Sequence, residues 1–462
     1  MAKRIDCVAK LRAHPKTNPR TNQNAMKSLD VKLAQLKKDR NANAFIIADA
    51  KDADMAFGIR AAGPRYYLSS QGARAAQFSP EVWTREEFGY RNLPEFLDII
   101  REVVQQGVID IMLMSASVNE QLTIKEGLFK NSPVTPAARA NDTTDIWAIR
   151  HGTYTKEPSM PFRSTTIDYI QCGKIECDRT TDEFPGANLG LYSITFVNRL
   201  EEDRRTLQAF KEFREEAERK KFRYFLEVFD PNVPSGIPPE KLGEFINDNI
   251  IRSLAGVPES GRPLFLKIVY HGPRSLEELC QYDPNLIVGI LGGSAGTTYD
   301  AFRLIYEAKK YGARVALFGR KINNAEHQLA FIEMLRLIVD GRISPEEAVY
   351  AYHAILQAKN IKPKLPLEKD LQLTDQSMSY GGSSQTIVNI RENPLASPAQ
   401  SHSATATPPS AMVEKTTTEK REPQNSDETA FPLTRDGKPD FEKMTPTQRL
   451  QYHQLRLTKI FG

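Results

Sequence analysis

A chain of 462 residues that carries 62 basic and 58 acidic side chains has a formal net charge of only +4. This near balance argues against a nucleic-acid-binding protein, for which a strongly basic domain is expected. The first twenty residues are polar, unlike a signal peptide, and no stretch of the chain reaches the roughly 18 apolar residues of a membrane span. Composition therefore predicts a soluble, cytoplasmic protein with one large domain and appendages.

Eight apolar segments alternate with amphipathic segments along the chain, in the order strand, helix, strand. The predicted strands are 45–50, 108–115, 136–140, 191–197, 224–229, 263–270, 286–291 and 314–318. The predicted helices are 29–38, 93–106, 200–220, 241–254, 276–280, 298–310 and 324–339. This alternation is typical of a parallel α/β sheet, and eight units indicate a closed (β/α)8 TIM barrel. A doubly wound open sheet is the alternative, but the Gly-rich turn that usually follows its first strand is missing.

The barrel is expected to occupy residues 44–358, after an N-terminal arm with a short helix at 1–43. Residues 145–187 form a connection too long for an ordinary loop and are predicted to be an inserted, hairpin-bearing loop region. Ser, Thr, Pro, Gln and charged residues predict an extended or disordered C-terminal linker over 359–430. The segment 431–462 ends in a short amphipathic helix, which either binds a protein partner or packs on its own barrel.

The four cysteines include one closely spaced pair, Cys172 and Cys177, which flanks a predicted tight turn at Gly173-Lys174. Such a pair forms a disulfide, binds a metal or remains as free thiols. No second pair with matching spacing accompanies it, and the histidines are scattered along the chain. Free thiols are therefore the favoured interpretation, and we expect neither a metal nor another cofactor.

Lys267 stands alone among apolar neighbours in the predicted sixth strand, Pro263–Tyr270. An ammonium group in a buried parallel strand must be paired or lose its proton. A neutral amine that faces a pocket is the nucleophile that Schiff-base chemistry requires. Glu227 is a second ionisable group in an apolar strand, and it either pairs with an inward cation or exchanges protons with Lys267.

Glycine-containing turns follow the seventh and eighth predicted strands. Glycine lets the backbone approach a ligand closely, and the free N–H groups at a helix start favour an anion. The loops after the last two strands of a TIM barrel frequently bind phosphate. The two turns therefore predict a phosphate site, formed by Gly292, Gly293, Ser294, Gly319 and Arg320.

The combination of a strand lysine, a Gly-Gly turn and a Gly-Arg-x-Ile turn resembles the class I, Schiff-base aldolase superfamily. It is most similar to the archaeal-type fructose-bisphosphate aldolases and, more distantly, the deoxyribose-phosphate aldolases. The resemblance extends over about residues 45–341 and is specific from Pro263 to Ile322. It implies that Lys267 forms the Schiff base, that Tyr270 takes the place of the family's aromatic residue, and that the protein is a homo-oligomer.

The family's aspartate, in an Asp-His-Gly turn after the first strand, has no exact counterpart here. Asp49 is the preferred candidate for the acid that moves a substrate proton, and Asp52 is the alternative. Tyr270 either donates a proton or packs as an aromatic residue, and Asn198 either binds a substrate hydroxyl or forms a turn. Further polar candidates near the end of the third strand are Arg139, Asn141 and Asp142.

These residues predict a metal-independent aldehyde-lyase, an aldolase-like enzyme that acts on a phosphorylated keto or aldehyde compound. One alternative is a sugar-phosphate isomerase or epimerase in which Lys267 is only an electrostatic group. The other is a non-catalytic, phosphate-binding barrel that serves as a scaffold, since this fold hosts many unrelated functions.

Overall fold

The computed structural model of the chain describes residues 26–63, 90–180, 183–293 and 296–374, together with isolated positions 432, 443 and 448. The chain divides into two units, residues 1–397 and 398–462, and the fold described below belongs to the first. Within the described ranges, no helix is long and apolar enough to cross a membrane.

Eight parallel strands close into a barrel in which neighbours in the chain are neighbours in the sheet. The strands are β1 Ile46–Lys51, β2 Ile111–Met114, β3 Thr135–Arg139, β4 Leu189–Thr195, β5 Arg223–Phe229, β6 Leu266–Ile268, β7 Gly289–Gly292 and β8 Val315–Phe318. β1 closes the ring by pairing with both β2 and β8. The predicted (β/α)8 barrel is confirmed, and the open-sheet alternative is wrong.

The α-helices flank the strands and are numbered in chain order. They are α1 Ser28–Lys38, α2 Asp54–Phe57, α3 Leu93–Gln106, α4 Ala116–Asn119, α5 Ile167–Cys172, α6 Leu200–Arg219, α7 Leu242–Leu254, α8 Pro273–Tyr282, α9 Thr298–Lys310, α10 Arg320–Asn323, α11 Gln328–Val339, α12 Pro345–Ala358 and α13 Leu367–Asp370. Single 3₁₀ turns lie at Gly58–Ala62, Tyr154–Lys156, Pro239–Lys241 and Glu259–Gly261, and a π-helical turn at Glu120–Lys125 extends α4.

Two helices begin and end where the sequence predicts, because their ends carry local signals. Asn92 and Glu95 form a reciprocal capping box at the start of α3, and Gly107 ends it in the left-handed conformation. Thr297 and Asp300 form the same kind of box at the start of α9.

The barrel interior is apolar at the N-terminal end of the strands, and α1 covers this end. Strand residues such as Ile46, Leu113 and Phe225 share one buried cluster with Leu29 and Leu36 of the helix. Both helix leucines are almost completely buried, at 0% and 4% exposure. The expectation that this helix belongs to an arm outside the core is therefore wrong, since its apolar stripe covers the N-terminal end of the barrel.

The insertion after β3 differs in detail from the predicted hairpin-bearing loop. Asp142–Thr143 pairs antiparallel with Pro161–Phe162, and α5 follows. Cys172 is the last residue of α5, and Gly173 ends the helix with a φ of 70°, so the predicted tight hairpin turn is a helix end. The chain then returns Cys177 to Cys172, with 5.9 Å between the Cα atoms, and the two form a disulfide. The favoured interpretation of free thiols is wrong for this pair.

The described chain continues beyond α12 and docks on the barrel. The Oδ1 atom of Asp370 accepts the N–H of Thr298 at 2.7 Å, and the N–H of Thr374 donates to Asp300 at 2.8 Å. Residues 359–374 are therefore not the extended linker that was expected to begin at 359. The rest of the predicted linker and nearly all of segment 431–462 lie outside the described residues.

Candidate active site

Lys267 and Glu227 face the barrel interior at the same height. Successive side chains of a strand point to opposite faces. Residues 225 and 227 therefore share one face of β5, and residues 265 and 267 share one face of β6. Phe225 and Phe265 belong to the interior cluster, and the parallel register of β5 and β6 places Glu227 opposite Lys267. The same register places Ser193 of β4 opposite Glu227. The barrel interior therefore contains a polar layer next to the apolar one, on its C-terminal side.

The polar layer is a chain of buried ion pairs. Lys267 Nζ forms an ion pair with Glu227 Oε1, and the Lys267 side chain is 9% exposed. Arg139 Nη2 lies 3.6 Å from Glu227 Oε2, and Arg139 Nε lies 2.5 Å from Asp52 Oδ2. Ser193 Oγ donates to Glu227 at 2.7 Å and accepts from Arg139 Nη1 at 3.1 Å. Two cations and two carboxylates balance, which is the condition under which charges persist in a protein interior.

This layer supports proton transfer at the amine of Lys267. A lysine must give up a proton before its nitrogen can attack a carbonyl carbon, and Glu227 is the carboxylate in contact with it. Arg139 keeps its charge at any ordinary pH and holds the other oxygen of Glu227. The arrangement is therefore chemically suited to an amine nucleophile with an adjacent acid–base group.

An apolar layer covers the polar one at the C-terminal end of the barrel. Phe229 of β5, Val269 directly after β6 and Leu291 of β7 face inward, and each is 2% exposed. Ala56 of α2 and Ile146 of the insertion complete this cluster. Loops after β1 and β3 thus restrict the access of water to Lys267, which strengthens electrostatic interactions beneath them.

The structure does not bring Asp49 to Lys267. Asp49 lies on the helix-facing side of β1, on the same side as the outward residue Ile47. Its carboxylate pairs with Lys51 at 2.7 Å, and both side chains are buried. Burial raises the pKa of Asp49 and lowers the pKa of Lys51, while their attraction opposes both shifts. Asp52, the alternative candidate, faces inward and holds Arg139, so the predicted role passes from Asp49 to Asp52.

Tyr270 also lies on the helix-facing side, together with Leu266 and Ile268. Its hydroxyl donates to Glu307 of α9 at 3.4 Å, and the side chain is buried. Burial raises the pKa of Tyr270, and the Glu307 carboxylate adds to this effect. The packing alternative therefore describes Tyr270 better than proton donation at Lys267 does.

Asn198 lies three residues beyond the end of β4 and is exposed. Its φ is 59°, and its side-chain amide donates to the carbonyl oxygen of Ser235 at 2.8 Å. These contacts match the turn alternative.

The glycines of the predicted phosphate site have packing roles. A Cβ on Gly292 would overlap the ring of Phe318, and a Cβ on Gly319 would lie 2.9 Å from the carbonyl oxygen of Ala50. Gly293 is buried, and Ser294 lies outside the described residues. Tight packing between neighbouring strands therefore requires glycine at 292 and 319 whether or not a ligand binds there.

The start of α9 is already supplied with carboxylates. The N–H of Thr297 donates to Asp300, and the N–H of Thr298 donates to Asp370. These acids occupy the position in which the helix N-terminus would otherwise favour an external anion. The described N–H groups at the start of α9 are therefore already paired, and the prediction of a phosphate site now depends on the residues that follow β8.

Two cations, Arg320 and Lys321, stand at the start of α10, directly after Gly319. Arg320 stacks over the ring of Phe57, at 5.5 Å from its centre. Lys321 Nζ donates to the carbonyl oxygen of Gly296 at 2.7 Å, and burial lowers the pKa of Lys321 to about 8. Gly319 and Arg320, with Gly293 beside them, therefore remain the predicted phosphate site.

Arg139 is only a further polar candidate in the sequence, and Ser193 is not among the candidates. The signal for both was present, because 137 and 139 share a side of β3, and 191 and 193 share a side of β4. Ala137 and Leu191 are interior residues, which assigns Arg139 and Ser193 to the interior as well. Within the described ranges, no three His, Cys, Asp or Glu side chains are grouped so that they could hold a metal ion.

Comparison with known proteins finds no matching family model and no matching curated protein. Among solved structures, an archaeal fructose 1,6-bisphosphate aldolase is 12% identical, with 67% of this chain and 99% of that chain covered and a TM-score of 0.46. A second solved structure, of an archaeal fructose-1,6-bisphosphate aldolase with its catalytic lysine covalently bound to the carbinolamine intermediate of the substrate, is 13% identical. It covers 67% of this chain and 100% of that chain, with a TM-score of 0.46. A fructose-bisphosphate aldolase from Slackia heliotrinireducens is 10% identical over 74% and 96%, with a TM-score of 0.48. The structural neighbours of this (β/α)8 barrel thus include archaeal fructose-bisphosphate aldolases, at low sequence identity.

Proposed function

We propose that this protein is an aldolase-like lyase in which Lys267 forms a Schiff base with a phosphorylated keto or aldehyde compound. The observation that carries the proposal is the contact between the Lys267 amine and the Glu227 carboxylate inside the barrel. A lysine there has a proton acceptor within reach and an apolar cover that limits water. These are the conditions under which an amine serves as a nucleophile.

The proposed reaction begins with proton transfer from Lys267 to Glu227. The neutral amine attacks the substrate carbonyl carbon, and one proton of the amine passes to the carbonyl oxygen to give the carbinolamine. The carbinolamine hydroxyl then leaves as water with a proton from Glu227, which forms the iminium. Asp52 then takes the proton of the substrate hydroxyl, and the carbon–carbon bond breaks with its electron pair passing into the iminium. The first carbonyl product leaves, and Asp52 returns its proton to the enamine carbon. Water then hydrolyses the new iminium, which releases the second product and restores the amine.

Arg139 links the two carboxylates that the reaction uses. It lies 2.5 Å from Asp52 and 3.6 Å from Glu227, so one guanidinium group holds both carboxylates in position. The substrate phosphate is assigned to the turn after β8, where the Arg320 guanidinium supplies a charge suited to phosphate.

The direct test is borohydride reduction of the full-length protein with dihydroxyacetone phosphate, glyceraldehyde 3-phosphate or deoxyribose 5-phosphate. Peptide mass spectrometry then locates any reduced adduct. We expect an adduct on Lys267 that is absent from Lys267→Met. Lys51→Met is the matched control, because Lys51 is also a buried lysine on a barrel strand but faces the helices. Absence of an adduct from a folded protein with all three compounds would count against the lyase.

A sugar-phosphate isomerase or epimerase is the second candidate. The ion pair between Lys267 and Glu227 favours it, since a paired ammonium is an electrostatic group and not a nucleophile until it loses a proton. This enzyme would interconvert sugar phosphates without a reducible adduct, whereas the lyase gives one.

A further inference from the structure

A polar cleft of about 400 Å³ lies at the C-terminal ends of β1 and β2, where α2 and α4 begin and the insertion passes over them. TIM barrels bind their substrates at this end. The cleft walls carry hydroxyl groups and carboxylates, contributed by Ser115, Ser117, Ser164, Thr165, Asp54 and Glu120. Among the described residues that line it there is no lysine, arginine or histidine.

The cleft adjoins the Lys267 cluster through Asp52. Burial raises the pKa of Asp54 to about 6, and the nearby Asp52 carboxylate contributes to that rise. Burial also raises the pKa of Asp142, with Arg139 opposing and Asp52 adding to the effect. Asp142 accepts a hydrogen bond from Ser164, which lines the cleft, at 3.3 Å. Asp54, which lines the cleft, and Asp142, which contacts a lining serine, therefore both interact electrostatically with Asp52.

The hydroxyl groups of the cleft form a short hydrogen-bonded row. Ser115 Oγ donates to Asp54 Oδ2 at 2.6 Å and lies 3.3 Å from Ser117 Oγ. Glu120 pairs with Lys125 at 2.9 Å. Hydroxyl groups of a ligand can donate to these carboxylates and accept from these serines, whereas a phosphate would meet two acids and no lining cation.

We propose that this cleft binds the uncharged, polyhydroxylated end of the substrate, so that the site selects a monophosphate over a bisphosphate of the same length. The orientation rests on the proposed function: the carbonyl lies at Lys267, the phosphate lies by Arg320 after β8, and the free hydroxyl groups lie by Asp54 and Ser115. A second phosphate would be placed against the carboxylates of the cleft.

The test measures binding of two hexitols, the 1-phosphate and the 1,6-bisphosphate, to the full-length protein by titration calorimetry. Neither probe has a carbonyl group, so binding does not depend on imine formation. We expect the monophosphate to bind at least about tenfold more tightly, because like-charge juxtaposition costs more than the energy of a tenfold change. Ser117 is exposed, so Ser117→Arg tests the cause by adding a cation, with Ser117→Gln as the control for size.

Ser117→Arg is expected to erase most of the monophosphate preference, and Ser117→Gln is expected to keep it. Equal binding of the two probes, tighter binding of the bisphosphate, or no binding of either would overturn the inference. Identical behaviour of the Arg and Gln variants would also overturn it. Selective binding combined with failure to trap an imine would refute the proposed lyase and leave the cleft assignment standing. A trapped imine without selectivity would do the reverse.

Discussion

Replacement of Arg139 by methionine tests whether the interior ion pairs hold the candidate site together. Arg139 is 4% exposed and bridges Asp52 and Glu227, with further contact to Ser193. Methionine fills similar space but removes the charge and the donors. Lys267 is then the one cation left for two buried carboxylates in the described cluster.

Removal of one partner from a buried ion pair costs about 3–5 kcal/mol, because the remaining charge is left uncompensated in a poorly polarisable interior. We expect Arg139→Met to lose about that much free energy of unfolding at pH 7. Arg139→Lys should lose less, since it keeps the charge but not the planar set of donors. Arg204→Met is the matched control: Arg204 pairs with Glu201 at 3.0 Å, but both side chains are 59% exposed. Such pairs contribute about 0–1 kcal/mol.

Urea unfolding followed by circular dichroism measures all three variants against the parent protein. We expect the largest loss of unfolding free energy for Arg139→Met, a smaller loss for Arg139→Lys and the smallest loss for Arg204→Met. If Arg139→Met changed the free energy of unfolding by less than about 1 kcal/mol, as an exposed pair would, the charges would not be organised as described.

Three further predictions concern residues outside this cluster. The pKa of Asp54 is raised to about 6, so its protonated form stabilises the folded protein below about pH 4, and this stabilisation is lost as the pH rises through 6. Asp54→Asn should flatten this part of the profile of unfolding free energy against pH, and an unchanged profile would refute the shift. Gly292→Ala should destabilise the barrel by about 1–3 kcal/mol through overlap with Phe318, and a thermal midpoint equal to the parent's would contradict that packing. Cys172→Ser should cost about 2 kcal/mol through the lost cross-link, and thiol alkylation of Cys177 in the unreduced parent protein would show that no disulfide forms.

Much of the fold follows from local patterns. The strand and helix segments were predictable because apolar periodicity and capping residues are properties of neighbouring residues, as at α3 and α9. The spacing of the cysteine pair favours free thiols because spacing alone does not give the path of the chain after α5. The sequence predicts an arm at α1 because it does not show which surface the leucines of this helix contact.

The candidate site was predicted in part. Lys267 and Glu227 were found because each is a lone charge in an apolar strand, and such a charge needs a partner. The choice of Asp49 over Asp52 did not use the alternation that begins at Ile46 and Ala48, both interior residues. The glycine turns were found, but their roles were not, because packing against Phe318 and Ala50 is a contact between different strands.

The sequence by itself determined the strands and most of the helices. It also determined whether each strand residue faces the barrel interior or the surrounding helices. Only the tertiary structure decided which inward residues meet. Closure of the barrel brings Asp52, directly after β1, and Arg139 of β3 to Glu227 and Lys267 on β5 and β6. It also placed Asp370 at the start of α9, 72 residues away in the chain. The physical reason is that periodicity is a local property, whereas the pairing of distant charges depends on strand register and barrel closure.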